Sequence, residues 1–91
     1  MNEKEVFAAL KYRIDVDIYG HRRYYNAAGQ PHREHGPAVE HTNGSKFWYQ
    51  NGKLHRTDGA AVEWSNGAKE WWLNGQPVTE AQFNQKVSQN V

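Results

Sequence analysis

A period of 23 residues organises most of this sequence. The segment 47–69, FWYQNGKLHRTDGAAVEWSNGAK, matches the segment 24–46 at ten positions when it is shifted by 23 residues. A third, partial copy aligns by the same shift at three positions: Trp48 with Trp71, Asn51 with Asn74, and Gly52 with Gly75. Repeats with a period of about 20 to 50 residues are typical of proteins whose units bury their apolar faces against neighbouring units. The sequence therefore predicts a stack of short repeats.

The repeat divides the chain into the parts of a single domain, and 91 residues suffice for one. We predict a mainly β fold, a single antiparallel β-meander of hairpin repeats with a short helix at each end as a cap. Its parts are an N-terminal helix and hairpin (1–23), a first repeat (24–46), a second repeat (47–69), a partial repeat (70–78), and a C-terminal helix and tail (79–91).

Asparagine–glycine pairs predict where the strands turn. They occur at 43–44, 51–52, 66–67 and 74–75. Asn-Gly is a strong hairpin signal, because both residues tolerate the positive φ angles of a type I′ turn. We expect at least six short strands between residues 13 and 78, no helix within 22–75, and positive φ at most of the four glycines of these pairs.

The segments outside the repeats predict one strand and two helices. Arg13–Ile18, RIDVDI, alternates charged and apolar residues, which places its three apolar side chains on one face of a strand. Two sequences with the spacing of a helix capping box predict short helices at about 3–11 and 79–87. Pro77 cannot donate to a β-ladder and is expected at the edge of the sheet.

Composition indicates a folded protein with a thin core. Mean hydropathy is low, −1.01, but 13% of the residues are aromatic, and disordered segments are poor in aromatics. The absence of cysteine excludes disulfides and Cys-based zinc sites. The first residues, MNEKEVFAAL, lack the apolar run of a signal peptide. We predict a soluble protein of the cytoplasm.

The segment WYQNGKLHRTDGAAVEWSNGAKEWWLNG resembles the short repeat proteins of bacteriophages and prophages that carry an H-R-x-D-G-P-A motif, which are similar to MORN-type repeats. The resemblance covers about residues 21–84. It implies β-hairpin repeats and a protein-binding accessory role toward a bacterial host protein, including inhibition of a defence system. The structural motif residues are His32, Arg33 and Gly36 in the first repeat, His55, Arg56, Asp58 and Gly59 in the second, and the turn residues Asn51, Gly52, Asn74 and Gly75.

The two repeats depart from the motif at different positions. His35 stands where the motif has Asp, and Ala60 where it has Pro. In the second repeat we expect Arg56 to pair with Asp58 or with Glu63 on the adjacent strand, and Gly59 to adopt a φ angle that other residues avoid. Because His35 cannot replace Asp58, we expect Arg33 to be less neutralised and available to a partner.

Side chains that could carry chemistry follow the repeat. His32 and His35, with His41 nearby, have a spacing that suits a metal, but His32 recurs at His55 and His41 aligns with Trp64. No serine lies in a strained turn typical of a nucleophile. We therefore predict neither catalytic nor metal-binding residues and no cofactor.

Two binding functions remain open. Residues 21–56 carry six Lys or Arg against two Glu, and cations beside aromatic rings can bind single-stranded nucleic acid. Alternatively, an open sheet that presents Trp, Tyr and Arg can bind another protein, or a second copy through a sheet edge or an aromatic face. We favour protein binding without catalysis. The expected partner-binding residues are Arg22, Arg23, Tyr25, Arg33, His35, Trp48 and Trp71.

Overall fold

The computed structural model describes residues 13–88, and they form an antiparallel sheet followed by one helix. The predicted helix at 3–11 lies outside the described residues. The strands are β1 (Arg13–Val16), β2 (Arg22–Tyr25), β3 (Val39–Glu40), β4 (Lys46–Phe47), β5 (Tyr49–Gln50), β6 (Lys53–Leu54), β7 (Val62–Glu63), β8 (Lys69–Leu73) and β9 (Gln76–Val78), and the helix α1 is Glu80–Ser88. The predicted fold class is confirmed, and residues 22–75 contain no helix.

Seven strands pair in the order β1-β2-β3-β4-β7-β8-β9, and β5 pairs with β6 in a separate hairpin. The sheet is therefore not a plain meander. In the second repeat the chain leaves the seven-stranded sheet, which we call the main sheet, after Phe47. It then forms the β5–β6 hairpin and rejoins the main sheet at β7. The first repeat has an isolated bridge between Tyr25 and Pro31 in the corresponding region, and the partial repeat has the β8–β9 hairpin there, which stays within the seven-stranded sheet.

Backbone hydrogen bonds join the corresponding turns of successive repeats. The N–H of Gly52 donates to the carbonyl of Pro31 at 2.8 Å, and the N–H of Gly75 donates to the carbonyl of Leu54 at 2.9 Å. Both donors are turn glycines at equivalent repeat positions. The period of 23 residues is thus the spacing at which one hairpin bonds to the next.

Opposite charges alternate across the main sheet. Residues directly opposite each other in an antiparallel pair share a face, and oppositely charged pairs there are stabilising. The cross-strand register places the following residues in one row: Arg22, Glu40, Lys46, Glu63 and Lys69. The surplus of cations in residues 21–56 is therefore partly balanced by carboxylates that lie opposite them in the sheet.

The four Asn-Gly turns are of two kinds. Positive φ is observed at all four glycines, as predicted. Asn51 and Asn74 also have positive φ, 50° and 51°, as type I′ turns require. The prediction of a type I′ turn was wrong at Asn43 and Asn66, where the asparagine φ is not positive. There the side-chain carbonyl accepts the N–H two residues on, at 2.9 Å in each turn, which stabilises a different turn with only the glycine left-handed.

The core is thin and contains mostly small side chains. The fully or nearly buried apolar residues are Ala38, Ala60, Ala61, Val62 and Phe83. Phe83 belongs to α1, which packs against β8. The capping box that predicted this helix is formed, because the N–H of Gln82 donates to Oγ1 of Thr79 at 3.0 Å and the N–H of Thr79 donates to Oε1 of Gln82 at 2.9 Å. Pro77 lies in the last strand of the sheet, as predicted.

The first strand is shorter than predicted and leaves its apolar residues exposed. It ends at Val16, because the carboxylate of Asp17 accepts the N–H groups of Tyr19 and His21 and closes a turn there. Ile14 is 56% exposed, Val16 is 58% exposed, and Ile18, in the turn, is 92% exposed. Within residues 13–88, no helix has the length and apolar character needed to cross a membrane.

Candidate functional site

The repeated His-Arg pair is a structural element that joins neighbouring repeats. Nδ1 of His32 accepts the N–H of Asn51 at 2.9 Å, and Nδ1 of His55 accepts the N–H of Asn74 at 2.9 Å. Each histidine thereby holds the first residue of the type I′ turn in the next hairpin. Both rings must carry a lone pair on Nδ1 to make this bond.

The arginine that follows each histidine forms what we call the arginine clamp, a guanidinium held between an aromatic ring, a carbonyl and a carboxylate. The Cζ atom of Arg56 lies 3.8 Å from the ring centroid of Trp48, and Nη1 donates to the carbonyl of Ala60 at 2.9 Å and to Glu63 at 3.0 Å. Nε also donates to Asp58 at 2.8 Å. Arg56 is therefore neutralised by two carboxylates, as predicted.

Arg33 forms the same clamp in the first repeat. Its Cζ atom lies 4.0 Å from the ring centroid of Tyr24, and Nη1 donates to the carbonyl of Pro37 at 3.2 Å and to Glu40 at 3.0 Å. The prediction that Arg33 is less neutralised than Arg56 is confirmed, since one carboxylate pairs with it instead of two. The guanidinium is nevertheless engaged within the chain, because Glu40, which the β2–β3 register places opposite Arg22, also reaches it. Only the contact that Asp58 makes in the second repeat is missing.

The glycine of each motif leaves room for the clamp. A Cβ atom built on Gly59 would lie 3.0 Å from Cζ of Arg56, and one on Gly36 would lie 3.0 Å from Cζ of Arg33. The prediction that Gly59 adopts a left-handed φ was wrong, whereas Gly36 has a φ of 138°. The two glycines therefore share a steric requirement for close approach of the guanidinium.

The predicted partner-binding residues do not form one surface. His35 and Trp48 line a groove of about 720 Å³ together with Gln50, Arg56 and Asp58. Arg22, Arg23 and Tyr25 lie on β2, and Trp71 lies on β8 opposite Val78. Two of these are engaged within the chain, since Arg23 pairs with Asp17 at 3.3 Å and the ring of Tyr25 lies 4.4 Å from Cζ of Arg13.

A continuous row of aromatic rings crosses the sheet, and the sequence did not predict it as a site. We call it the aromatic row; it consists of Tyr19, His21, His41, Phe47 and Trp64. Successive ring centroids are 6.1, 4.6, 5.3 and 5.3 Å apart. The row begins in the β1–β2 turn, passes β2, β3 and β4, and ends directly after β7. Tyr19 is 72% and Trp64 42% exposed, so both ends face solvent.

The local register of the strands creates the aromatic row. His21 precedes β2 and His41 follows β3, so the antiparallel pairing of these strands brings the two rings together. Phe47 lies directly opposite Val62, two residues before Trp64. The repeat did contain a signal for this row, because His41 and Trp64 occupy equivalent positions and both carry rings.

Hydrogen bonds and charges fix the ends of the row. Nε1 of Trp64 donates to Glu70 at 2.7 Å, and Nε1 of Trp72 donates to the other oxygen of the same carboxylate at 3.0 Å. At the other end, Nδ1 of His21 accepts the N–H of Thr42 at 3.0 Å. Burial and the neighbouring His21 and Arg23 lower the pKa of His41, which favours its neutral ring.

Among residues 13–88, no group of three His, Asp or Glu side chains is arranged to hold a metal ion. A comparison of the chain with models of protein families, with characterised proteins and with solved structures finds no match.

Proposed function

We propose that this chain is a non-enzymatic protein-binding module and that the aromatic row is its binding surface. The observation that carries the proposal is the continuity of five rings that remain partly accessible on a sheet whose core is formed mainly by small residues. Tyr and Trp are enriched among the residues that dominate binding energy at protein interfaces. A rigid sheet also presents them at low conformational cost.

The orientation of the rings supports a protein partner. Neighbouring rings are tilted by 42°, 50°, 62° and 90° along the row, so they do not form a flat platform. Binding of single strands relies on bases that stack on the faces of exposed aromatic rings. A corrugated surface of edges and faces instead suits side chains that interdigitate with it, as in the packed centre of a protein interface.

The charges around the row support the same conclusion. Glu70 lies at the Trp64 end, and Arg23, whose positive charge acts on His41 of the row, is paired with Asp17. Nucleic-acid binding draws most of its affinity from cations that neutralise phosphates. Of the cations expected to do so, Arg33 is held in the clamp, and Arg22 and Lys46 lie opposite Glu40 on the neighbouring strand β3. The nucleic-acid alternative is therefore the weaker of the two.

The proposed partner is a protein of a bacterial host, and inhibition of a defence system is one form the interaction would take. This part of the proposal rests on the resemblance to phage and prophage repeat proteins. The binding surface and the identity of the partner are separate claims, and they are tested separately.

The test is quantitative capture from a bacterial lysate with the wild-type chain, Tyr19→Ser, Trp64→Ser and Ile18→Ser as baits. Ile18→Ser is the matched control, because Ile18 is an exposed apolar residue in the same turn as Tyr19 but outside the row. We expect a protein that is retained by the wild type and by Ile18→Ser and lost with both ring variants. Direct titration of the purified partner should then show at least about a tenfold weaker Kd for each ring variant.

Two results would contradict the proposal. Equal retention by all four baits would exclude the aromatic row as the surface. Salt-sensitive binding of single-stranded oligonucleotides that Arg22→Ala weakens would favour the nucleic-acid function. Capture that fails with bacterial lysates but succeeds, with the same loss in the ring variants, from a lysate of another class of organism would remove the host assignment and leave the surface intact.

A further inference from the structure

The outer edge of β1 is a candidate surface for pairing with another strand. In the part of the chain that the structure describes, β1 pairs with β2 alone, whereas the strand at the opposite edge, β9, contains Pro77 and is separated from α1 by one residue. An exposed edge strand offers unpaired N–H and C=O groups to a further strand. Proline in an edge strand discourages this pairing, and β9 contains Pro77 whereas β1 contains no proline. The charged residues of β1 would discourage pairing with a strand of like charge, but they are matched in the register described below.

The hydrogen-bond pattern identifies which groups of β1 face outward. The N–H of Tyr24 donates to Ala38 at 2.8 Å and its carbonyl accepts from His32 at 3.0 Å, so both backbone groups of Tyr24 point away from β1. Ile14 lies opposite Tyr24 and therefore belongs to a non-hydrogen-bonded pair. Its own N–H and C=O consequently point to the open edge.

The side chains of β1 are complementary to themselves in one antiparallel register. If two copies of β1 pair about a two-fold axis at Ile14, then Arg13 of each copy lies opposite Asp15 of the other. Within one copy Arg13 and Asp15 lie 3.6 Å apart, and Arg13 also covers the ring of Tyr25. Their side chains are still 64% and 53% exposed and Ile14 is 56% exposed, so the pairing would exchange an exposed ion pair within one copy for two between copies. Two oppositely charged cross-strand pairs would lie on one face of the sheet and one apolar pair on the other, and each is a favourable contact.

We propose that two copies of this chain associate through β1, antiparallel and centred on Ile14, to form one continuous sheet. The axis runs perpendicular to the sheet, so the two aromatic rows lie on the same face of the dimer. The contact is short, and interfaces well below about 1,000 Å² are weak. The dimer is therefore in exchange with the monomer. This inference goes beyond the proposed binding function and does not depend on it.

Reversing the charge of Arg13 or of Asp15 tests the proposed register between the two copies of β1. Asp15→Arg places Arg opposite Arg in a dimer of two such variants, and Arg13→Asp places Asp opposite Asp. We expect each variant alone to associate at least about tenfold more weakly than the wild type, and an equimolar mixture to recover a heterodimer. Sedimentation over about a hundredfold range of concentration measures the association of the wild type, of each variant and of the mixture. Thermal unfolding confirms that each variant is folded.

A second measurement does not rely on charge. The chain has no cysteine, so Ile14→Cys introduces a single thiol at the axis. Hydrogen-bonded residues in antiparallel strands have Cα atoms about 5.5 Å apart, a distance that a disulfide spans. We expect Ile14→Cys to form a disulfide-linked dimer at least about ten times faster than Ile18→Cys under mild oxidation, since Ile18 is exposed but lies off the axis.

The outcomes separate this proposal from other arrangements and from the proposed function. Recovery in the charge mixture and rapid cross-linking at Ile14 support the dimer. Equal cross-linking of the two variants, a mixed disulfide between Ile14→Cys and Ile18→Cys as the main product, or self-association that Tyr19→Ser abolishes would overturn it. A chain that stays monomeric would also overturn it, while capture of a partner by the aromatic row would be unaffected.

Discussion

The Nη1 atom of Arg56 lies 3.0 Å from Oε2 of Glu63, a residue of the next strand of the main sheet. The same distance separates Nη1 of Arg33 from Oε1 of Glu40 one repeat earlier. The guanidinium of each arginine also covers an aromatic ring, so it links the segment after the turn of its repeat to the strands of the seven-stranded sheet. The most conspicuous motif of the sequence is thus explained by stability, and the surface that remains available for binding lies elsewhere.

The two clamps predict similar effects of truncation. Arg56→Ala and Arg33→Ala should each lower the free energy of unfolding by about 1–3 kcal/mol, because each strands a carboxylate and a carbonyl that were hydrogen-bonded. Arg56→Ala should cost more, since its side chain is 19% exposed and that of Arg33 is 31% exposed. Urea unfolding measures both changes. Arg22→Ala serves as the control and should cost less than about 1 kcal/mol, because Arg22 is exposed. Two clamp variants no less stable than this control would refute the assignment.

The missing contact of the first clamp can be restored. His35→Asp should place a carboxylate beside Arg33 where Asp58 lies beside Arg56. The gain should not exceed about 1 kcal/mol, because Asp58 is 83% exposed in its own pair and solvent screens such contacts. The reciprocal change, Asp58→His, should lower stability by a similar amount. Differential scanning calorimetry tests the pair, and a lower Tm for His35→Asp would contradict the equivalence of the two repeats.

Repetition and turn chemistry explain why the fold could be predicted from the sequence. The period of 23 residues, the Asn-Gly pairs and the capping box at Thr79 are local signals, and the structure contains the sheet, the turns and the helix that they indicate. The separation of the β5–β6 hairpin from the seven-stranded sheet could not be predicted in this way. It depends on pairing of Phe47 with Val62 and of Tyr49 with Leu54, which turn residues do not specify.

The candidate site was harder to predict because it depends on cross-strand register. Counting charges predicted that Arg33 is available, but its partner Glu40 lies seven residues away, and the turn between them brings the two side chains together. The aromatic row likewise joins residues from separate strands, and Phe47 meets Trp64 only after β4 has paired with β7. An alignment of the repeat positions shows that rings recur at 41 and 64, but not which rings they touch.

The histidines that join the repeats give a third prediction. His32→Ala removes the acceptor of the Asn51 N–H and also a side chain that is only 8% exposed. It should lower the free energy of unfolding by about 2 kcal/mol, and His55→Ala, at a more exposed site, by about 1 kcal/mol. His35→Ala is the matched control and should have little effect, because His35 is exposed. Chemical unfolding provides the comparison. Equal stabilities of all three variants would show that the bonds to Asn51 and Asn74 contribute nothing.

Acid should destabilise the fold through His41 and, at lower pH, through Asp17. Burial, followed by the positive charges of His21 and Arg23, lowers the pKa of His41 below its ordinary value of 6.5. The unfolded chain therefore binds this proton more readily, so the contribution of His41 is fully present above about pH 6.5 and is lost as the pH falls toward the folded pKa.

The pKa of Asp17 is also lowered in the folded chain. Desolvation acts to raise it, but the N–H groups of His21 and Tyr19 together with Arg23 outweigh this and lower the pKa of Asp17 below 3.8. Its contribution is present above about pH 3.8 and is lost as the pH falls further.

Denaturation measured from pH 8 to pH 3 separates the two groups. His41→Phe keeps an aromatic ring in the row and removes its titration, so the loss of stability near pH 6 should be smaller in this variant than in the wild type. Asp17→Asn should flatten only the acidic end of the profile, although it also weakens the turn that ends β1. If His41→Phe and the wild type lose the same stability between pH 7 and pH 5, the burial of His41 in the aromatic row does not control this titration.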